Sequence, residues 1–380
     1  MFFLTGTNVL MALYYPQLSD ESFLIPSVLL TYILGIFGYF TKIKNHKYEF
    51  LLILLLIFIL AFNFLTRKDM AFWALVSALL GPAIFSVVIK ELNTNINKTK
   101  LRRIIYIFYI VNCLLAIGER LMKHCLFPNL GFETGFNETS TDFRSFALYG
   151  HPLSNSAISL LLMNVVLISK MPINKKIGMW FLGFCAILCF NSRFALVLGS
   201  LSYLCYIIKE VFFSRNRIKY KTLYIFQVLL IAVIISYLFT QGFGDRLTNM
   251  GLYDDDSAGA RIQIFSIFNA SKWSDFIFGL PYHDVVSLQL RSGTGDLIIE
   301  NCWIVFLLRY GFIFLILMIL AYIPLFRYYL SGYSKFAQFL VFVPWLINIS
   351  SSNSLSVGGF AIGTLFLVLY AFNTSNSLRI

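Results

Sequence analysis

Long uninterrupted apolar runs constrain the fold of this chain more than any other feature of its sequence. Three of them cover residues 23–40, 50–65 and 223–239. At about 1.5 Å per helical residue, each run crosses most of a hydrocarbon core about 30 Å thick. Hydrophobic residues make up 58% of the chain and charged residues only 13%, which is far from the composition of a soluble domain. The sequence therefore predicts an all-α, polytopic helical membrane protein.

The apolar runs predict about 12 transmembrane helices within a single integral membrane domain covering residues 1–380. Two outer loops, residues 120–151 and 241–301, are much longer than the other connections, and loops of that length usually carry function. The candidate spans cover residues 2–15, 23–41, 49–65, 70–89, 103–119, 152–169, 177–190, 194–213, 222–240, 302–326, 336–350 and 355–373.

Basic residues alternate between the connecting loops and set the orientation. Five short loops and the C-terminal tail hold 19 of the 30 Lys and Arg residues, opposed only by Glu91 and Glu210. Because Lys and Arg mark cytoplasmic loops, both termini are expected in the cytoplasm and both long loops outside. In a bacterium with two membranes this is the inner membrane, with the active site on the periplasmic side. The net charge of +12 is thus a topology signal, and no nucleic-acid partner is expected.

The sequence predicts no metal and no cofactor. It contains no Gly-rich phosphate loop and no Cys or His cluster with metal-ligand spacing. The run Asp254–Asp256 is better explained as a solvated turn, since three consecutive side chains do not face one ion. Four of the six cysteines lie in apolar runs, and a bridge between Cys125 and Cys302 is left open. Without a nucleotide site, energy must come from the substrate or from an ion gradient.

Basic side chains next to two predicted outer helix ends are candidates for anion binding. Arg144, Tyr149 and His151 precede Pro152, which suits the first turn of a helix. Arg144 and His151 could hold an anionic group, or be an interfacial Arg and a capping His. Arg193 lies in a tight turn between apolar runs, where it could bind phosphate bidentately or extend to lipid headgroups.

The large loop adds further candidates. Arg261 begins an amphipathic stretch, and His283 follows a proline turn, where a structural role is favoured. Glu300 and Asn301 lie where the loop enters the next span. Glu300 is either a carboxylate favoured by the helix dipole or a general base at the membrane boundary. Arg309, about 12 Å further along the helix, is either an ion-pair partner or a sign that the helix crosses the interface.

Four stretches, taken in their order along the chain, resemble the O-antigen ligase and polymerase superfamily, and more closely the VpsF-like polysaccharide biosynthesis proteins. The resemblance covers roughly residues 100–320, and it depends on order and topology more than on any one motif. The stretches are FRSFALYGHPLSNS (143–156), NSRFALVLGS (191–200), ARIQIFSIFNA with FGLP (260–281), and ENCWIVFLLRYGFIFLI (300–316).

The resemblance implies a metal-independent glycosyltransferase of the GT-C type that uses undecaprenyl-pyrophosphate-linked glycans. Arg144, Arg193 and Arg261 match basic positions that hold the pyrophosphate. Members of the ligase branch have a catalytic His directly before an Asn where the large loop enters the next helix. This chain has Glu300 in the place of that His, directly before Asn301. This departure counts against ligase activity and is compatible with a polymerase of O-antigen, capsule or other polysaccharide repeat units.

Within that expectation, Glu300 and His151 are the catalytic candidates. Asn301, Tyr149 and His283 are expected to bind substrate. The expected partners are the lipid-linked oligosaccharides, the bilayer, and a chain-length regulator and flippase of the same system. Two alternatives remain: a ligase passing finished glycan to another acceptor, and a lipid-linked oligosaccharide flippase or transporter.

Overall fold

In a computed structural model of the protein, the described residues form helices and no strand. These residues are 46–68, 75–91, 95–127, 143–213, 232–233, 236–237, 240, 259, 262–295, 299–352, 355 and 361–373. The chain divides into two compact units. The first comprises Met1–Ser22, Lys100–Leu252 and Tyr333–Asn348, and the second comprises Phe23–Thr99, Tyr253–Gly332 and Ile349–Ile380.

The helices are numbered here in chain order. They are α1 (Lys47–Arg67), α2 (Gly81–Glu91), α3 (Asn95–Met122), α4 (Pro152–Ile168), α5 (Ile173–Cys189), α6 (Arg193–Ile208), α7 (Ile267–Ala270), α8 (Trp273–Phe278), α9 (Tyr282–Arg291), α10 (Cys302–Leu330), α11 (Lys335–Ser350) and α12 (Ala361–Phe372).

Four of these helical segments are long and apolar enough to cross a membrane: Lys47–Arg67, Asn97–Met122, Arg193–Phe213 and Cys302–Leu330. They coincide with four of the predicted spans, and the helical membrane class is confirmed to that extent. Shorter apolar helices occur at Pro152–Ile168, Lys335–Ser350 and Ala361–Phe372. The predicted spans at 2–15 and 23–41 lie outside the described residues, as does nearly all of 222–240. The full count of spans stays a prediction.

The core of the first unit forms around α4, which is buried on almost all sides between α5 and α6. Gly183 on α5 allows α3 to approach closely, since a Cβ atom there would lie 1.9 Å from the hydroxyl oxygen of Tyr109. That hydroxyl donates a hydrogen bond of 2.7 Å to the carbonyl of Met179. All six cysteines are free thiols, so the bridge left open by the sequence is not formed.

In the second unit, α10 packs along α1 and against the loop helix α8. Aromatic rings fill the α1–α10 contact, with Phe314 lying 5.3 Å from Phe62 and 6.1 Å from Phe58 between ring centroids. The predicted span at 70–89 contains a π-helical turn, Val76–Leu80, before α2. Pro82 lies in the first turn of α2 and has no N–H for the helical ladder, so an irregular turn at this place is expected.

A buried polar network, called here the Glu49 network, joins α1, α2 and α10. The carboxylate of Glu49 is fully buried and forms an ion pair with Lys90. The Ser86 hydroxyl donates to it over 3.1 Å and lies 3.0 Å from the hydroxyl of Tyr329. Lys90 also lies 3.9 Å above the ring of Tyr328. Because a buried charge is costly unless it is paired, these contacts tie the three helix ends together.

Candidate functional site

The turn at residues 143–151 is held by a buried carboxylate at the end of α3. Glu119 is fully buried, and its Oε2 accepts the backbone N–H groups of Phe146 and Ala147 over 2.8 and 2.9 Å. Its Oε1 accepts the N–H of Leu126 over 3.0 Å. Arg120 donates to the carbonyl of Phe143. A charged acceptor shared by three backbone donors fixes this turn firmly to α3.

Two buried asparagines complete the support of the same turn. Asn112 on α3 accepts the N–H of Leu148 over 3.0 Å, and Asn155 on α4 accepts that of Tyr149 over 3.2 Å. His151 is the N-cap of α4, and its Nδ1 accepts the N–H of Leu153 over 3.3 Å. The capping alternative for His151 is therefore observed, with Pro152 at the first helical position. Tyr149, like Arg144, is half-buried on this supported backbone.

The second basic turn of the first unit lies beside it. The backbone N–H of Ser145 donates to the carbonyl of Cys189 over 3.1 Å. The chain then turns through Asn191, which adopts a left-handed conformation with φ of 54°, into α6, whose first residue is Arg193. Arg144 directly precedes Ser145, and Arg193 lies four residues after Cys189. Their backbones are thus fixed at the same end of the unit.

Charge at this end is strongly positive. Among the described residues 116–127, 143–151 and 186–193, Glu119 is the one acidic residue. Arg120, Lys123, Arg144 and Arg193 lie in the same three segments. Because the Glu119 carboxylate already accepts three backbone donors, its charge is largely compensated locally. The N-terminus of α6 adds the positive end of a helix dipole beside Arg193. An anion is the kind of ligand that this arrangement favours.

In the second unit, Glu300 and Asn301 lie at the start of α10. Asn301 is the N-cap, and its Oδ1 accepts the N–H groups of Trp303 and Ile304 over 2.9 and 3.3 Å. Glu300 precedes it and is half-buried. The capped helix end places a positive dipole next to the Glu300 carboxylate. A carboxylate in this position is held near the start of a membrane helix and can accept a proton from a bound hydroxyl group.

Part of the segment predicted as a large loop, residues 262–295, packs against the first half of α10. Helices α7, α8 and α9 contribute to a small core whose buried members come from both sides. The members are Ile264, Ile267, Val285, Leu288, Ile299, Ile304 and Leu308. His283 is exposed on α9, and its Nε2 lies 2.9 Å from the carboxylate of the neighbouring Asp284. The substrate-binding and structural roles considered for His283 both stay predictions.

The second unit also contains a break in α10 at Gly311, where φ is 82° and ψ is 170°. The turn at Gly279, with φ of 80°, packs against the break. A Cβ atom at Gly311 would lie 2.3 Å from the carbonyl carbon of Phe278, and one at Gly279 would lie 2.5 Å from that of Arg309. Only glycine combines these positive φ angles with so close an approach of two backbones.

Arg67, the last residue of α1, joins the part of α10 before this break to the turn that packs against it. Its guanidinium donates to the carbonyl of Arg309 over 2.9 Å and to the carbonyl of Phe278. The N–H of Leu280 donates to the carbonyl of Leu308 over 2.6 Å. These bonds satisfy carbonyl groups that the broken helix leaves without their usual partners, as a membrane helix requires. Arg309 itself is buried, with its guanidinium 5.6 Å from the ring of Tyr282.

The structure therefore brings the predicted residues of the first unit, Arg144, Tyr149, His151 and Arg193, to one end of that unit. Asn301, Glu300 and His283 belong to the second unit, and Arg261 lies outside the described residues. Sequence reasoning missed the supporting residues Glu119, Asn112, Asn155 and Arg67. Each of these residues is a charged or amide side chain next to or inside an apolar run. Such a residue indicates a buried polar contact, but the sequence does not show which group it contacts.

The fold and these two sites define a helical membrane protein with a supported basic turn in one unit and a capped, acidic helix start in the other. Comparisons of the chain with protein-family models, with curated proteins and with solved structures find no match.

Proposed function

We propose that this protein is a glycosyltransferase that polymerises lipid-linked glycan repeat units at a bacterial inner membrane. The donor would be a glycan on undecaprenyl pyrophosphate, and the acceptor would be a second lipid-linked repeat unit. The observation that carries the proposal is the hydrogen bond from Ser145 to Cys189, because it holds the Arg144 and Arg193 turns together. Two guanidinium groups on adjoining supported turns suit a pyrophosphate, whose oxygens accept bidentate hydrogen bonds.

In this mechanism, the acceptor hydroxyl attacks the anomeric carbon of the donor as the bond to pyrophosphate breaks. Glu300 accepts the proton of that hydroxyl. Arg144, Arg193 and Arg261 offset the charge that develops on the departing undecaprenyl pyrophosphate, a task for which fixed cations are effective. His151 keeps the turn in place as a helix cap, and Tyr149 and Asn301 border the substrate. The reaction needs no nucleotide and no metal.

The topology predicted from the basic loops puts this chemistry on the periplasmic side, with both termini in the cytoplasm. A flippase that supplies the lipid-linked repeat unit and a chain-length regulator that limits the product are compatible partners.

The test is chain extension in proteoliposomes that contain the purified protein and a purified undecaprenyl-pyrophosphate-linked repeat unit. The expected product is a ladder of glycan lengths. Replacing a general base typically slows a reaction roughly 10²- to 10⁴-fold, so Glu300→Gln should remove the ladder. Arg193→Ala should do the same by removing charge stabilisation of the leaving group.

Asp284, whose side chain is 43% exposed, and the exposed residue Arg103 provide matched controls. Asp284→Asn and Arg103→Ala remove the same charges elsewhere and should leave the ladder unchanged. An unchanged ladder in both Glu300→Gln and Arg193→Ala would refute the mechanism. Transfer of glycan only to an added foreign acceptor would identify a ligase. Movement of the labelled lipid across the bilayer without any change in glycan length would identify a transporter.

A further inference from the structure

A groove of about 510 Å³ lies in the second unit between the loop helix α8 and the part of α10 around its break. Its walls include Trp273, Phe276 and Ile277 on one side and Phe312 and Ile313 on the other. The volume is within the range of pockets that hold small ligands or parts of larger ones.

The chemistry of the groove selects hydrocarbon. Aromatic and aliphatic side chains form the walls just named, and Ser271 adds a hydroxyl group. That hydroxyl donates a hydrogen bond of 2.6 Å to the carbonyl of Ile267, so its proton is already used within the loop helices. A polar headgroup in the groove would lose its hydration without equivalent partners in these walls. An apolar chain would lose nothing of this kind and would bury its surface.

One wall of the groove belongs to an exposed apolar face of α10. Phe312 is 57% exposed and Ile313 40% exposed on α10, which is long and apolar enough to span the bilayer. Across the groove, Trp273 is 88% exposed. An apolar surface of this size, continuous with a membrane helix, is unfavourable in water and normal against lipid.

The start of α8, beside the groove, carries side chains typical of the headgroup level. Lys272 is exposed and directly precedes Trp273 at the start of α8. Trp and Lys are enriched where hydrocarbon meets headgroups, and a Lys there attracts lipid phosphate. A chain in the groove would therefore extend from a phosphate near Lys272 into the hydrocarbon layer.

We propose that this groove holds an acyl chain of a bilayer phospholipid, and that α8 lies in the membrane interface. The described walls contain no free polar group that could select one hydrocarbon over another. Occupancy then follows concentration, and phospholipid acyl chains are the most abundant hydrocarbon in the bilayer.

The test uses the fluorescence of Trp273 in the full-length protein in nanodiscs. Replacing the other four tryptophans by Phe leaves Trp273 as the single emitter. Phospholipid with brominated acyl chains should reduce its emission several-fold relative to ordinary phospholipid, whereas aqueous iodide should have little effect. A protein that keeps only Trp180, a 2% exposed residue of the first unit, should show a much smaller change with bromine. Quenching of Trp273 by iodide and not by brominated chains would overturn the proposal.

Two further measurements separate the groove from simple contact with the membrane surface. A phospholipid with a photoreactive group in its acyl chain should crosslink to peptides from both walls, 268–277 and 307–313. Crosslinks to the α8 wall alone would overturn the proposal that the chain lies in the groove.

Unbrominated polyprenyl phosphate, added to nanodiscs of brominated phospholipid, should leave the quenching unchanged. Recovery of emission would show that an isoprenoid chain displaces the acyl chain and would overturn the assignment to phospholipid.

Discussion

Replacing Glu49 by Gln is the perturbation whose cost the structure defines best. The variant keeps the size of the side chain and an oxygen that can accept from Ser86. It removes the negative charge and leaves the Lys90 ammonium, whose side chain is 13% exposed, without the carboxylate that pairs with it. Breaking a buried ion pair by removing one partner typically costs about 3–5 kcal/mol.

We expect the lower end of that range, about 3 kcal/mol, because Lys90 retains the ring of Tyr328 and Gln retains one acceptor. A loss of this size lowers the folding equilibrium constant roughly 100-fold. The measurement is reversible unfolding of the purified protein by SDS in mixed micelles. Lys47→Gln removes a charge from an exposed residue two positions away and should change the free energy of unfolding by less than about 0.5 kcal/mol.

The double variant Glu49→Gln with Lys90→Met tests why Glu49→Gln is destabilising. The cost comes either from leaving the Lys90 ammonium unpaired or from losing the contacts of the carboxylate itself. If the cost of Glu49→Gln comes from an uncompensated ammonium, removing that ammonium should recover most of the stability. Two outcomes would refute the reasoning: a Glu49→Gln protein as stable as the wild type, or a double variant whose loss equals the sum of the single losses.

Three further substitutions test the supports of the two sites. Arg67→Met should cost about 2 kcal/mol by removing the three hydrogen bonds of its guanidinium, to Asn63, Phe278 and Arg309, and hydrogen exchange near the break should rise about 30-fold. Gly311→Ala should destabilise by roughly 3 kcal/mol or more, because it adds backbone strain to a clash with the facing turn. Glu119→Gln should cost about 1–3 kcal/mol and speed amide exchange at Phe146 and Ala147, because one neutral oxygen replaces the charged pair of acceptors.

Each of these substitutions has a matched control. Gly118 lies inside α3 with no heavy atom within 4 Å of the position that an added methyl group would occupy, so Gly118→Ala should be neutral or slightly stabilising. Asp284→Asn, at a side chain that is 43% exposed, matches Glu119→Gln. Arg103→Met, at an exposed position of α3, matches Arg67→Met. Equal losses in a variant and its control, or a Gly311→Ala protein with unchanged unfolding, would contradict the assigned contacts.

The sequence predicted the long helices well because their signal is local. A run of apolar residues long enough for the bilayer needs no knowledge of its neighbours. The span predicted at 302–326 coincides with the long apolar helix Cys302–Leu330, and the one at 152–169 with the shorter apolar helix Pro152–Ile168. At His151 the sequence left capping and anion binding open, and the structure shows the cap.

The contacts that shape the sites could not be predicted, because their partners are distant in the chain. The break at Gly311 lies inside a predicted continuous span, and a single glycine there does not reveal the turn at Gly279. The span predicted at 49–65 stops before Arg67, whereas Arg67 ends α1 and donates to carbonyl groups of α8 and α10. Glu119 ends an apolar helix, and nothing near it in the sequence identifies the three amides that it accepts.

The bonds made by Arg67 also set an order on the biosynthesis of the protein. Its acceptors, Phe278 and Arg309, follow it by 211 and 242 residues. At a synthesis rate of about 5–20 residues per second, Arg67 is made roughly 10 to 50 seconds before Arg309. During that interval the partners of the guanidinium lie within α1 itself, the Asn63 side chain at 3.0 Å and the ring of Phe62 at 5.0 Å. A ribosome that stops before residue 309 would therefore leave the terminal cation of α1 held by its own last turn, without the long-range bond to Arg309.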